Sequence, residues 1–270
     1  MKIIGLILTW NNVEFLRCAF KQAWSFCDEL ILVEGCQSRF RLKTSTDGTV
    51  AFVNSVGTHP RLRIIDFDQK MDRYDNTQRN IRRLYPMESR YYEPGNWVFH
   101  WDDDLLFFDK DLPKVRRAMK SSKEDSLDFG ARHFIYNFRF NCVRNSGIYC
   151  YRITDGLRLK GISTAYYADG QRYSIKKIND ITAFHYGQVK RPERMKARWE
   201  MSMEKGTESS IGLYEKWMGV CWEKEEDILK QEQLIRQFTG GGELNIYDGP
   251  HPETAADHPW RHIDDVRAIG

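Results

Sequence analysis

The chain has 270 residues, 41% hydrophobic and 13% aromatic, which is enough apolar material for a folded core and too much for a disordered chain. Its 41 Lys and Arg against 38 Asp and Glu leave a net charge of +3, which argues against a dedicated nucleic-acid binder, and no run of about 18 apolar residues is present to span a membrane. MKIIGLILTWNN lacks the cleavage pattern of a signal peptide, and the six cysteines form neither a CxxC pair nor a Cys/His cluster of zinc-finger spacing, so a cytoplasmic protein with reduced thiols is expected.

Residues 2–10, KIIGLILTW, are a continuous apolar run with β-branched members, and DELILVEG at 28–35 is another. Between them Val13, Leu16, Phe20 and Trp24 recur at helical spacing, with Asn11 or Asn12 available as a cap. DGTVAFVNSV predicts a second helix, LRIIDF a third strand, DRYDNTQRNIRRLY a polar helix and WVFHW a fourth strand. Strands alternating with helices imply an open α/β sheet, mostly parallel, with right-handed crossovers. Beyond about residue 125, short aromatic segments (LDFGARHFIYNFRFN, GIYCYRI, LRLKG, TAYYADGQRYSI, ITAFHYG) predict a mixed or antiparallel extension of the same sheet. PERMKARWEMSMEKG and EKEEDILKQEQLIRQF read as helices, and the Gly- and Pro-rich tail from GGGELNIYDGP onward as a segment wrapping the surface.

Ligands of open parallel sheets sit at the carboxyl ends of the strands. The residues there are Thr9, Trp10 and Asn11 after the first strand, Glu34 after the second, Asp66 and Asp68 after the third, and Asp102, Asp103 and Asp104 after the fourth. Three adjacent carboxylates repel one another. They can bind a hard divalent cation, share a proton, or cap the next helix, but capping needs one aspartate and proton sharing needs carboxylates held face to face. Their place after the fourth strand of an α/β pattern favours the cation over an exposed acidic loop.

ILTWNNVEFL, DELILVEG, the turn STDGT (45–49), the QRN of Gln78, Arg79 and Asn80, and VFHWDDD together resemble, in that order, the nucleotide-binding half of a family 2 glycosyltransferase. The resemblance implies a GT-A fold over residues 1–205, with a nucleotide-sugar-binding half at 1–108 and an acceptor half at 109–205, followed by a C-terminal helical extension and tail at 206–270. It implies transfer of a sugar from a nucleotide-sugar donor, such as a UDP-sugar, to a glycan, lipid-linked or protein acceptor, with inversion. In this reading Thr9, Asn11, Glu34, Asp47, Arg79, Asp102 and Asp103 contact the nucleotide sugar. Asp102, Asp104 and a late histidine, His185, hold Mn²⁺ or Mg²⁺.

No Glu-Asp pair follows the triplet at the family's distance, so the general base is sought in Asp169 of YYADGQ or Asp155 of ITDG, each of which also reads as an ordinary Asp-Gly turn. Lys190, Arg191 and Arg194 are candidates to face a diphosphate, or are the solvated start of a basic helix. Tyr166, Tyr167, Trp101 and Trp199 are candidate sugar platforms or core residues. Two other readings stand beside transfer. One is an inert nucleotide-sugar or carbohydrate-binding protein. The other is a sugar-phosphate nucleotidyltransferase, disfavoured because TWNNVEF has none of the glycines that class carries after its first strand.

Overall fold

The computed structural model describes residues 1–35, 44–66, 85–160, 164–190, 193–197, 215, 218–220, 225–231, 233, 235, 243–256 and 258–261. The first apolar run forms β1 (Ile3–Thr9), all seven residues buried, as expected of a central strand covered on both faces. Helix α1 (Val13–Phe26) follows and lays Val13, Phe15, Leu16, Ala19, Ala23 and Phe26 on the sheet. It ends where Cys27 turns extended to enter β2 (Glu29–Glu34). The chain continues through α2 (Thr49–Ser55), β3 (Leu62–Ile65), β4 (Trp97–His100), β5 (Leu105–Leu106) and α3 (Leu112–Ser121). Then come β6 (Ser126–Ile135), β7 (Phe140–Arg152), β8 (Arg158–Lys160), β9 (Thr164–Tyr166), β10 (Ile175–Gln188), α4 (Glu225–Lys230) and β11 (Leu244–Ile246). The polar helix expected over 72–85 falls almost wholly outside the described residues, as does the expected boundary at 205.

Nine strands form one sheet in the order β3-β2-β1-β4-β7-β6-β10-β5, with β11 on β7, and β8 and β9 form a separate hairpin. β3, β2, β1 and β4 run parallel, as alternation with helices requires, and β10 runs parallel to β6. β7 is antiparallel to β4, β6 and β11 and supplies the mixed extension. Because β4 is short and β7 long, β4 pairs only with 150–152, and β11 takes the same edge at 140–142.

One face of the sheet packs Ile3 and Ile7 against α1 and α3, and the other packs Ile4, Leu6, Leu8, Ile31 and Val33 with Tyr151, Ile153 and Tyr173 beneath the β8–β9 hairpin. Each such side chain contributes about 1.5–3 kcal/mol on burial. The tail departs from the expected surface strap. Beyond β11, Ala255 and Trp260 enter the α1 face of the core, and His258 stacks on Phe15 with ring centroids 3.9 Å apart. Glycines and prolines break periodicity, but they do not stop the aromatics between them from being buried. Among the described residues, no helix is long and apolar enough to cross a membrane.

Candidate active site

Two loops meet at the carboxyl ends of β1 and β2. Asn11, at φ 48°, turns the chain out of β1 through a left-handed conformation that asparagine tolerates better than most residues. Its Oδ1 accepts the Thr46 N–H at 2.6 Å, and its own N–H donates to Ser45 Oγ at 2.8 Å. Buried Glu34 fastens the same segment, accepting the Ser45 N–H at 2.8 Å and the Thr44 hydroxyl at 3.2 Å. Asn12 occupies the N-cap position of α1 but makes no side-chain capping bond. Asp47 caps in its place, accepting the Val13 N–H at 3.1 Å and also the Thr49 N–H at the start of α2 at 3.1 Å. One carboxylate thus serves two helix N-termini, and Arg194 Nη1 meets its charge at 3.2 Å.

The acidic triplet carries the chain from β4, in the middle of the sheet, to β5, beside β10. Trp101 is fully buried and donates its indole N–H to Leu105 O at 2.9 Å, while the Leu105 N–H closes a turn on Asp102 O at 3.1 Å. The Tyr186 N–H donates to Asp104 O at 2.9 Å, and His185 lies opposite Leu105 in the β5–β10 ladder. Backbone bonds on both sides therefore fix where the carboxylates point.

Asp104 is buried, with Oδ1 3.1 Å from His185 Nε2 and Oδ2 3.1 Å from Lys190 Nζ. Lys190 is buried too and donates to Asn12 Oδ1 at 3.3 Å. At this separation the Asp104–Lys190 attraction is on the order of 5 kcal/mol before desolvation, which is why an ammonium can be buried here. His185 Nδ1 is 2.8 Å from His133 Nδ1. His185 thus bridges Asp104 through Nε2 and His133 through Nδ1. The imidazole lies back over its own strand, where a Cβ at Gly187 would stand 2.6 Å from Cε1 and 2.9 Å from Nε2, so a larger residue there forces the ring or the strand to shift.

Asp103 lies partly buried against Thr9 and Asn12. Burial and the neighbouring Asp104 charge push its carboxyl up to about 7, against the opposing pull of the Lys190 charge. Arg194 also faces the cluster. Burial lowers its pKa, while the charges of Asp47, Asp103, Glu14 and Asp104 oppose that shift.

Thr9, Asn11, Glu34, Asp47, Asp102, Asp103, Asp104 and His185 thus gather at the carboxyl edge of the sheet, and Lys190 and Arg194 join them from beyond β10. Arg79, Asp68, Arg191 and Trp199 lie outside the described residues. Asp66 is exposed just past β3.

The structure does not bring Asp155 or Asp169 to this edge. Ile153 is bonded through N–H and C=O to Asn96 and Gly95, immediately before β4, so the Asp155 turn sits where β4 begins. Tyr167 donates its hydroxyl to Asp125 at 2.7 Å, and Asp125 pairs with Arg152, which lies opposite Trp97, the first residue of β4. The Tyr167–Gln171 turn holding Asp169 is anchored at that end, and Asp169 Oδ1 accepts the Gln171 N–H at 2.9 Å. From Trp97 to the triplet is about 16 Å at roughly 3.3 Å per residue. Of the candidate platforms, Trp101 is core, and Tyr167 packs on Tyr173 at 4.4 Å.

Asn12 and His133 belong to the cluster without having been singled out as site residues. Asn12 sits beside Asn11, and only the turn decides which amide faces the acids. His133 carries no motif and meets His185 because the β6–β10 register sets them opposite each other.

The expected Mn²⁺ or Mg²⁺ set of Asp102, Asp104 and His185 can be tested against this geometry. Asp104 Oδ1 and His185 Nε2, 3.1 Å apart, have the spacing of adjacent ligands on one ion, roughly 3 Å for bonds near 2.1 Å. The other Asp104 oxygen is taken by Lys190, however, and among the described residues no three His, Cys, Asp or Glu side chains converge as metal ligands. Among the described residues, Asp102, Asp104 and His185 as arranged do not fit a three-ligand divalent-ion site.

No protein-family model matches the sequence, and no curated protein sequence matches it. Similar solved structures include S. aureus TarS residues 1–349 (12% identity, 88% of this chain and 73% of that chain, TM-score 0.44) and S. aureus TarS (12%, 88% and 43%, 0.45). Residues 1–349 of TarS in complex with UDP-GlcNAc also match (12%, 87% of this chain and 81% of that chain, TM-score 0.43). The likeness is distant, and the functional reading rests on this chain's own residues.

Proposed function

We propose that this chain is a glycosyltransferase that moves a sugar from a nucleotide-sugar donor, in first choice a UDP-sugar, to an acceptor hydroxyl on a glycan, lipid-linked or protein acceptor. The observation that carries the reading is the convergence of Asp102–Asp104 with Thr9, Asn12, His185, Lys190 and Arg194 at the carboxyl edge of the parallel strands. Ligands of open α/β sheets bind at that edge. The acids suit ribose hydroxyls, which donate to carboxylates, and the cations suit the charge that builds on a departing nucleoside diphosphate. Family 2 membership and inversion follow from the sequence resemblance and form part of the proposal.

The test is nucleoside diphosphate release from UDP-, GDP- and dTDP-sugars, with and without Mn²⁺, by wild type and Asp104→Ala. Release by wild type and its loss in the variant are expected. A donor turned over equally by both proteins would remove the acidic triplet from the chemistry.

One observation favours a second reading, an inert nucleotide-sugar or carbohydrate-binding protein: both candidate bases, Asp155 and Asp169, lie at the far end of β4. In that case a donor binds tightly and no diphosphate is released with any acceptor.

A further inference from the structure

The acidic triplet already has a cation of its own. Lys190 leaves the end of β10 just after Val189, whose N–H is bonded to Tyr186 O, and brings Nζ to 3.1 Å from Asp104 Oδ2 and 3.3 Å from Asn12 Oδ1. The side chain is 9% exposed, and Asp104 is equally enclosed, so the pair is a built contact rather than a surface encounter. The environment holds it from several sides. Asn12 is fixed at the start of α1, where its N–H donates to Thr49 Oγ1 at 3.1 Å. The Lys190 charge also reaches buried His258, helping to hold that ring neutral.

A second chain cation stands beside it. Arg194 Nη2 donates to Trp10 O at 2.8 Å and Nη1 to Asp47, and the guanidinium lies in the field of Asp103 and Asp104. A divalent ion held by Asp104 Oδ1 and His185 Nε2 would stand against the Lys190 ammonium on the other Asp104 oxygen, and among the described residues no third His, Cys, Asp or Glu converges to offset that repulsion.

We infer that Lys190 takes the charge-neutralising place at the acidic triplet that a divalent metal would otherwise fill, so that the nucleoside diphosphate binds without a divalent ion. The inference rests on the nucleotide-sugar reading above. It also explains why a triplet of acids can persist in a folded chain: one charge is matched within the protein, by a residue 86 positions away in sequence.

Two measurements test it. The first is Mn²⁺ binding to the wild-type chain, followed by the loss of the free-ion electron paramagnetic resonance signal. The second is calorimetric binding of UDP, GDP and dTDP, in buffer with EDTA and in buffer with Mn²⁺. Wild type is expected to take up no stoichiometric Mn²⁺ and to bind its preferred diphosphate with affinities within about two-fold in the two buffers. Lys190→Met keeps the side-chain length and removes the charge. It is expected to take up Mn²⁺ together with the diphosphate, whose oxygens add to Asp104 and His185 as ligands, and to lose at least about ten-fold in diphosphate affinity in EDTA, restored by Mn²⁺. Should the variant fail to fold, the wild-type comparison alone decides. Stoichiometric Mn²⁺ on wild type that Asp104→Asn abolishes, or diphosphate binding that appears only with Mn²⁺, would overturn this inference and leave the transfer reading standing. No binding of any diphosphate in either buffer would overturn the transfer reading and this inference with it.

Discussion

The C-terminal segment is held in the core by two neutral imidazoles, and acid should release it. His258 is 2% exposed, stacks on Phe15 and accepts the Trp260 N–H at 3.2 Å. Burial, with Lys190 adding to it, pushes its pKa from 6.5 down to about 3. His251 accepts the Tyr186 hydroxyl at 2.8 Å, and burial pushes its pKa down to about 4. A base depressed in the folded state is protonated first in the unfolded chain, so the stability it protects is present above pH 6.5 and drains away as pH falls towards 3. At pH 5 each ring costs about 2 kcal/mol relative to pH 7.5, and screening at the less buried His251 trims the sum to on the order of 3 kcal/mol. Urea unfolding followed by tryptophan fluorescence at the two pH values, for wild type and His258→Phe, measures it. The variant keeps the stack on Phe15 but loses the bond to Trp260, worth about 1 kcal/mol at pH 7.5. It should then lose about 2 kcal/mol less than wild type on acidification. Equal losses in both proteins would refute the reasoning.

Two further outcomes are expected. Gln22 bridges α1 to the segment after β5, donating to Phe107 O at 2.6 Å and accepting the Phe107 N–H at 2.8 Å, so Gln22→Leu leaves both backbone groups buried and unbonded. A loss of about 2–4 kcal/mol in urea, at unchanged slope, is expected. Gly187→Ala drives a methyl into the His185 ring and should pull the imidazole off Asp104, at about 1–3 kcal/mol of stability. The His185 ring resonances in NMR spectra should shift and diphosphate release should fall; an unmoved ring would show that the strand yields instead.

The order β1, α1, β2, α2, β3, β4 was legible because continuous apolar runs and a helical period are local properties of the chain. So was the placement of the acidic triplet, since the carboxyl edge follows from parallel topology and Asp102–Asp104 follows the fourth strand. β11 was not legible, because GGGELNIYDGP carries turn residues around a strand of three, and its pairing is set by the edge that β4 leaves open on β7. The base candidates show the same limit. Asp155 and Asp169 each follow apolar residues, yet the hydrogen bonds to Asn96 and Asp125 that place them at the far end of β4 come from segments remote in sequence.

By itself, then, the sequence determined an α/β sheet with acids at its carboxyl edge and a polar amide pair beside them. Only the tertiary structure decided what those acids face. Asn12 rather than Asn11 turns to Lys190, because Asn11 is spent on the 45–46 turn. His133 reaches His185 through strand register, and Lys190 reaches Asp104 across β10. Charge pairs and registers are relations between distant segments. They come into being only when the crossovers of the sheet bring those segments within a few ångströms.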